Sequence, residues 1–279
     1  MGRSKHISQS AFLVNESRAR NVALSQDPYA KFWVSDATRR LWEEFAREVY
    51  PFDDTEIPLR NRFYLGVLEA GLFLHPDMVL INLGAGFTSY PFLTEWPCAC
   101  IEVDFERVVN FKRLKTDEWK RKGLLPNRDI EFVACDLSKR IEIAALRSRL
   151  ERELAGRISA AFLEGITYYL ESAILSDLFA LLRDIQTEES LIAFDFWTPD
   201  AAEHPVHKRF RKFFADRFGH GETKYNLFDP ALLGIPDGYR LVQRTDIVEL
   251  ERRYSDKKQL LPPEEILPEH YAVLERTDG

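Results

Sequence analysis

The sequence predicts an α/β fold: a doubly wound, mostly parallel sheet with a helical cap before it and antiparallel strands after it. Three observations predict it. Apolar runs recur through the middle of the chain, they do not alternate in polarity, and each of the first four is followed by a glycine or an acid. Runs that stay apolar on both faces need cover on both faces, the situation of parallel strands beneath crossover helices.

The cap comes first. From Gln9 to about Tyr50 apolar residues recur at mixed three- and four-residue spacing, as on helices, with a break at Asp27-Pro28, where proline disfavours continuation. Arg60 to Leu74 reads as a further amphipathic helix ending at His75-Pro76. The strands follow: Val79 to Leu83, Cys98 to Val103, Ile130 to Cys135 and Ala160 to Leu163. A fifth, Leu191 to Phe196, comes after a helix-like stretch from Glu171 to Ile185. Beyond Trp197-Thr198-Pro199, Ala201 to Gly221 reads as an amphipathic helix, and Arg240 to Tyr254 alternates in the manner of an antiparallel pair. One domain is expected, with residues 1–75 as cap, 76–200 as ligand-binding core and 201–279 as closing helix and strands.

With 279 residues and 45% hydrophobic content the chain can bury one large core. Its 45 acidic against 38 basic residues give a net charge of -7, which argues against a nucleic-acid backbone or an anionic membrane as partner. No apolar run suits a signal peptide or reaches the roughly 20 residues of a membrane span, so a cytoplasmic protein is expected. Cys98, Cys100 and Cys135 are the three cysteines. A zinc site would need a fourth ligand, which no paired histidine or second cysteine pair supplies, so buried strand thiols and no metal are expected. Lys208, Arg209, Arg211 and Lys212 read as a solvated helix face.

The punctuation at the strand ends carries the chemistry. Gly84-Ala85-Gly86-Phe87-Thr88-Ser89 lets the backbone turn sharply and a ligand approach without interference from a Cβ. A dinucleotide fingerprint would need a third glycine at Ser89, and no phosphate-cradling Gly-Lys-Ser sequence is present. Asp104 stands about twenty residues after the glycines, where an acid can accept both hydroxyl hydrogen bonds of a ribose. Asp136-Leu137 offers a carboxylate to an adenine amino group and an apolar side chain to its ring. Glu164-Gly165 repeats the pattern at the fourth strand, on the edge where open α/β sheets bind ligands. Together these residues fit a nucleoside ligand.

The order Arg18-Ala19, Asp27-Pro28-Tyr29-Ala30, Arg60 to Arg62, Ile81-Asn82-Leu83-Gly84-Ala85-Gly86-Phe87, Glu102-Val103-Asp104, Asp136-Leu137 and Glu164-Gly165-Ile166-Thr167-Tyr168-Tyr169-Leu170 resembles the leucine carboxyl methyltransferase family, over about residues 10 to 200. That family includes enzymes that methylate the terminal carboxylate of protein phosphatases and bacterial relatives acting on polyketide-type small molecules. The resemblance implies the class I methyltransferase form of the Rossmann-like sheet and S-adenosylmethionine as cofactor. It further implies that Gly84, Ala85 and Gly86 line the cofactor, Asp104 holds its ribose, Asp136 and Leu137 frame its adenine, and Glu164 lies beside its methionine portion. Arg18 matches a basic residue supplied by the cap. Arg60 matches the arginine that pairs with the methionine carboxylate, with Arg62 left open by spacing, and Tyr169 matches a tyrosine near the reacting methyl. Arg60 and Tyr169 are the expected catalytic pair. Where many members continue the glycine loop with Asp-Thr-Arg, this chain has Thr88-Ser89-Tyr90.

Methyl transfer from a sulfonium is an in-line displacement, so positioning and exclusion of water matter most. A carboxylate is already ionised at neutral pH and needs no general base, whereas a hydroxyl or phenol does. His75, His204, His207 and His220 all lie outside the matched motifs, which tilts the expectation towards a small-molecule carboxylate. A hydroxyl acceptor, a protein carboxylate and a silent cofactor-binding protein are the alternatives.

Overall fold

The computed structural model describes residues 3–218, 224–229, 236–255 and 261–277. Its centre is β1 (Val79–Leu83), buried at every position and flanked by β2 (Ala99–Asp104) and β4 (Ser159–Leu163), both parallel to it. With β3 (Ile130–Ala134), β5 (Leu191–Trp197), β6 (Tyr239–Asp246) and β7 (Glu269–Arg276), the sheet runs in the order β3-β2-β1-β4-β5-β7-β6. Strand β7 is antiparallel to both of its neighbours. The chain walks outward from β1 in one direction and then crosses back to β4. That reversal makes the carboxyl ends of β1 and β4 the switch point at which such sheets bind ligands.

Successive strand residues face opposite sides, which explains the uninterrupted apolar runs. On one side Val79, Ile81 and Leu83 pack on α7 (Arg140–Leu154) and α8 (Ser172–Ile185). On the other, Leu80 and Cys100 meet α4 (Asp53–Leu74) and α10 (Ile247–Tyr254). Cys98 and Cys100 share that side, Cys135 belongs to the opposite core, and all three thiols are free and buried.

The cap is built from α1 (Arg3–Arg20), the short α2 (Val22–Ser25) and α3 (Asp36–Glu48), with α5 (Tyr90–Leu93) and α6 (Glu106–Arg121) following further along the chain. At the predicted break, Asp27 Oδ1 accepts the N–H groups of Tyr29 and Ala30, a turn that side chain favours. Helix α3 starts at a capping box in which Ser35 and Thr38 exchange hydrogen bonds.

Three element boundaries differ from expectation. Helix α4 begins at Asp53 rather than Arg60, with Pro58 inside it. Proline removes the hydrogen bond to the carbonyl four residues back, and here the Asn21 side chain donates to that Asp54 carbonyl at 3.3 Å. The alternating stretch after Arg240 is half strand and half helix: Asp246 Oδ1 accepts the Glu249 N–H at 2.9 Å and starts α10. The antiparallel partner of β6 is β7, further along the chain. The expected Ala201 to Gly221 helix is a short 3-10 turn, Pro199–Glu203, followed by α9 (Pro205–Phe218). Gly221 and His220 lie outside the described residues. Lys208, Arg209, Arg211 and Lys212 are exposed; Lys208 pairs with Glu203 at 2.7 Å, and Arg209 donates to the Val49 carbonyl at 2.6 Å. Among the described residues no helix is long and apolar enough to cross a membrane.

Candidate active site

The turn after β1 depends on its glycines. Gly84 and Gly86 have φ of 72° and 46°, and a Cβ on Gly84 would lie 2.5 Å from Ile166 Cγ2. The glycine loop therefore packs directly on the loop that follows β4. Thr88 fastens it: its Oγ1 donates to the Ala85 carbonyl at 3.0 Å and accepts from Asn82 Nδ2 at 2.8 Å. Beneath, the buried Lys112 ammonium pairs with Glu102 at 2.7 Å.

Asp104 ends β2 facing this turn. Its two oxygens accept the N–H groups of Gly86 at 2.7 Å and Phe105 at 2.6 Å, which leaves lone pairs for a further donor. Burial pushes its carboxyl above the usual range despite these donors. Asp136 is half-buried, accepts from the N–H (3.0 Å) and hydroxyl (2.6 Å) of Ser138, and lies 3.1 Å from Lys139 Nζ. Leu137 is buried in the core beside it.

Glu164 sits at the hub of the second half of the site. Its Oε1 accepts from Arg60 Nε at 3.0 Å and from Arg18 Nη2, and its Oε2 accepts from the Tyr90 hydroxyl at 2.7 Å. Burial alone would raise this carboxyl, but Arg18 and Arg60 hold it below its ordinary value. Arg60 Nη1 is also 3.3 Å from Glu269 and 3.5 Å from Asp195, so three carboxylates surround one guanidinium. Two positions along the same helix, Arg62 points elsewhere and lies over the Tyr254 ring at 4.9 Å. Arg18 is 0% exposed, and its Nε and Nη1 have no hydrogen-bond partner among the described residues. Tyr169 is 38% exposed and packs against Tyr168 and Tyr225, at 4.8 and 5.5 Å between ring centroids. It is Tyr168 whose hydroxyl crowds over Gly165 together with Arg60 Nη2.

Several residues at this edge escaped the sequence reading. Asp53 accepts from Ser17 and Tyr50, Asp195 accepts the Gly165 N–H at 2.8 Å, Glu269 accepts the Tyr271 hydroxyl at 2.6 Å, and Glu56 is buried nearby. Burial pushes the Asp53 carboxyl up to about 6. It also raises Asp195 and Glu56 well above the usual range, with the negative charge of Glu269 adding to the effect. Asp195 left one signal, an ionisable residue inside the apolar run Leu191 to Trp197. Tyr90 left none, because its partner is 74 residues away.

A mostly parallel sheet of this order, with a glycine turn after β1 and acids closing β2 and β4, defines the class I methyltransferase fold. The structure is similar to a DUF574 family protein from Streptomyces avermitilis, at 14% identity over 94% of this chain and 97% of that one, with a TM-score of 0.64. A candidate methyltransferase from Thermobifida fusca aligns at 11% identity over 94% of each chain, TM-score 0.59. Magnesium protoporphyrin IX methyltransferase from Synechocystis, with bound S-adenosylhomocysteine, aligns at 12% identity over 88% of this chain and 97% of that one, TM-score 0.50. At these identities the likeness is one of fold. Comparison with curated proteins finds no sequence match. The family model for leucine carboxyl methyltransferase matches residues 9–183, more than half the chain, and the chain belongs to that family. It is a methyltransferase with S-adenosylmethionine as cofactor.

Proposed function

We propose that this methyltransferase transfers its methyl group to a carboxylate oxygen of a small molecule, giving an ester. The residues at the switch point fit the cofactor. Nη1 of the buried Arg18, which has no partner among the described residues, suits an oxygen of the methionine carboxylate, with Arg60 beside it. Glu164 suits the ammonium of the same portion. Asp104 retains acceptor capacity for a ribose diol, the glycine turn suits close approach of a nucleoside to the backbone, and Asp136 and Leu137 suit its adenine. When bound, the cofactor supplies a methyl group activated by a positive sulfur.

The observation that carries the carboxylate reading is the buried position of His207, an imidazole packed on Trp197 and on Tyr225, the ring that also meets Tyr168 and Tyr169. Burial, with Arg211 and His204 adding to it, lowers its pKa to about 4. A base that weak lies about six units below a phenol of pKa near 10 and would extract its proton poorly. A carboxylate asks for no such base. Its lone pair would take up the methyl group as the sulfur leaves with its electron pair, and no proton would have to move. What remains for the chain is alignment and exclusion of water, roles that Tyr169 and the Arg60 cluster suit.

The pH dependence of the chemical step tests this. With a carboxylate acceptor the single-turnover rate should stay level between about pH 6 and 8.5, because acids of pKa about 4 are fully ionised throughout. A tenfold rise per pH unit over that range would mark a hydroxyl acceptor and contradict the proposal.

A further inference from the structure

Two polar residues interrupt the buried strands beneath the glycine turn, and the cofactor placement gives neither of them a task. Asn82 of β1 and Glu102 of β2 are partners in the parallel register, so their side chains leave the sheet on the same side. From α6 the Lys112 ammonium reaches the same place. It lies 2.8 Å from Glu102 Oε1 and 2.7 Å from Oε2, 3.4 Å from the Ala85 carbonyl and 3.5 Å from Thr88 Oγ1. Asn82 Nδ2 donates to that same Thr88 oxygen at 2.8 Å. The glycine turn is therefore tied from below to β1 directly, and to β2 and α6 through one ammonium.

A fully buried ion pair is a poor way to hold a fold together. Lys112 is 1% exposed and Glu102 0%. Taking both charges out of water offsets much of their attraction, and apolar residues of similar volume in their place are often neutral or stabilising. What an apolar pair could not supply is the contact with the turn. That contact bears on the ribose acid as well, because the Gly86 N–H presented by the turn donates to Asp104 at 2.7 Å. Burial raises the Asp104 carboxyl, and the Lys112 charge acts against burial alongside the Gly86 and Phe105 N–H groups.

We propose that Lys112, held by Glu102, is a positioning residue for cofactor binding. Through the Ala85 carbonyl and Thr88 it fixes the glycine turn, and with it the Gly86 N–H and Asp104, in the arrangement that receives the ribose. This rests on the placement of the nucleoside proposed above. Lys112 lies beneath the turn and acts through it, so its loss is felt equally by any ligand that carries the nucleoside.

The test titrates the full chain with S-adenosylhomocysteine and with adenosine in a calorimeter and follows thermal melts of the free protein. The double variant Lys112→Met/Glu102→Leu removes both charges at similar volume, so its midpoint should hold or rise. Its affinity for both ligands should fall by about tenfold or more, the loss expected when contacts to a charged group are removed. Thr88→Val breaks the contact from the side of the turn and leaves the ion pair whole; it should weaken both ligands by about threefold or more. A double variant that melts earlier or does not fold would mean that the pair serves the fold, and that outcome overturns the proposal. So does wild-type affinity for adenosine in the double variant or in Thr88→Val. Asp104→Asn, which strikes the ribose contact itself, is the control. If it binds adenosine as the wild type does, the placement of the nucleoside is wrong and the proposal falls with it. If it weakens adenosine while the double variant does not, the placement stands and only the role of Lys112 falls.

Discussion

Arg18, Arg60 and Arg62 show how much one side chain's surroundings decide. Removing one partner of a buried ion pair costs about 3–5 kcal/mol, so Arg60→Ala, which strands Glu164, Asp195 and Glu269, should destabilise the chain on that scale in denaturant melts. Arg62→Ala removes a half-buried cation–π contact and should cost only about 1 kcal/mol. Arg18 separates binding from folding better, because Glu164 keeps Arg60 and Tyr90 when Arg18 is lost. Arg18→Met should weaken S-adenosylhomocysteine by about 1.5–3 kcal/mol in calorimetry and leave adenosine, which lacks the amino-acid tail, unaffected. Equal losses for both ligands would mean that Arg18 serves the fold alone. Asp53 gives a prediction in pH. Its carboxyl is pushed up to about 6 from an unperturbed value near 4, so the folded chain binds this proton more tightly than the unfolded one. Stability from this group is therefore present below the unfolded value and lost as pH rises to about 6, by at most about 3 kcal/mol. Asp53→Asn mimics the protonated form, and Ser17 can turn its own proton to the Leu13 carbonyl 3.3 Å away. The variant should be more stable than wild type at pH 7, with that advantage gone by about pH 4 in paired melts.

At the scale of elements, the glycine turn and the loop after β4 behave as one unit. Gly84→Ala places a Cβ 2.5 Å from Ile166 Cγ2 at a φ of 72°, so it meets a clash and a left-handed backbone at once. Pairing it with Ile166→Ala relieves the clash alone and should leave about 1–2 kcal/mol of backbone strain, measurable in a double-mutant cycle. Additive losses would show that the two loops do not touch in solution. The strands and the helices that cover them were legible because burial on two faces writes an unbroken apolar run into a single segment. The start of α4 was not, since Pro58 reads locally as a breaker and its compensation comes from Asn21, outside the helix. Strand β7 was missed for a similar reason. Its residues look ordinary until β5 and β6 pair with it.

At the scale of the whole molecule, the sheet gathers residues that no local pattern connects. The glycines and strand-end acids at Gly84, Gly86, Asp104 and Glu164 could be found from sequence because each is punctuation at the end of its own strand. The other acids that pair with Arg60, Asp195 and Glu269, come from β5 and β7, and the rings packed around Trp197 come from β5, α9 and the segment containing Tyr225. Only the folded order β1-β4-β5-β7 brings them to one edge. That edge is where the proposed transfer of a methyl group to a carboxylate would take place. The most direct measurement supplies the chain with methyl-labelled S-adenosylmethionine and a panel of small carboxylic acids, then treats the isolated product with mild alkali. Release of the label as methanol is the predicted result, since alkali cleaves a methyl ester; label that survives alkali in an aryl or alkyl ether would contradict it.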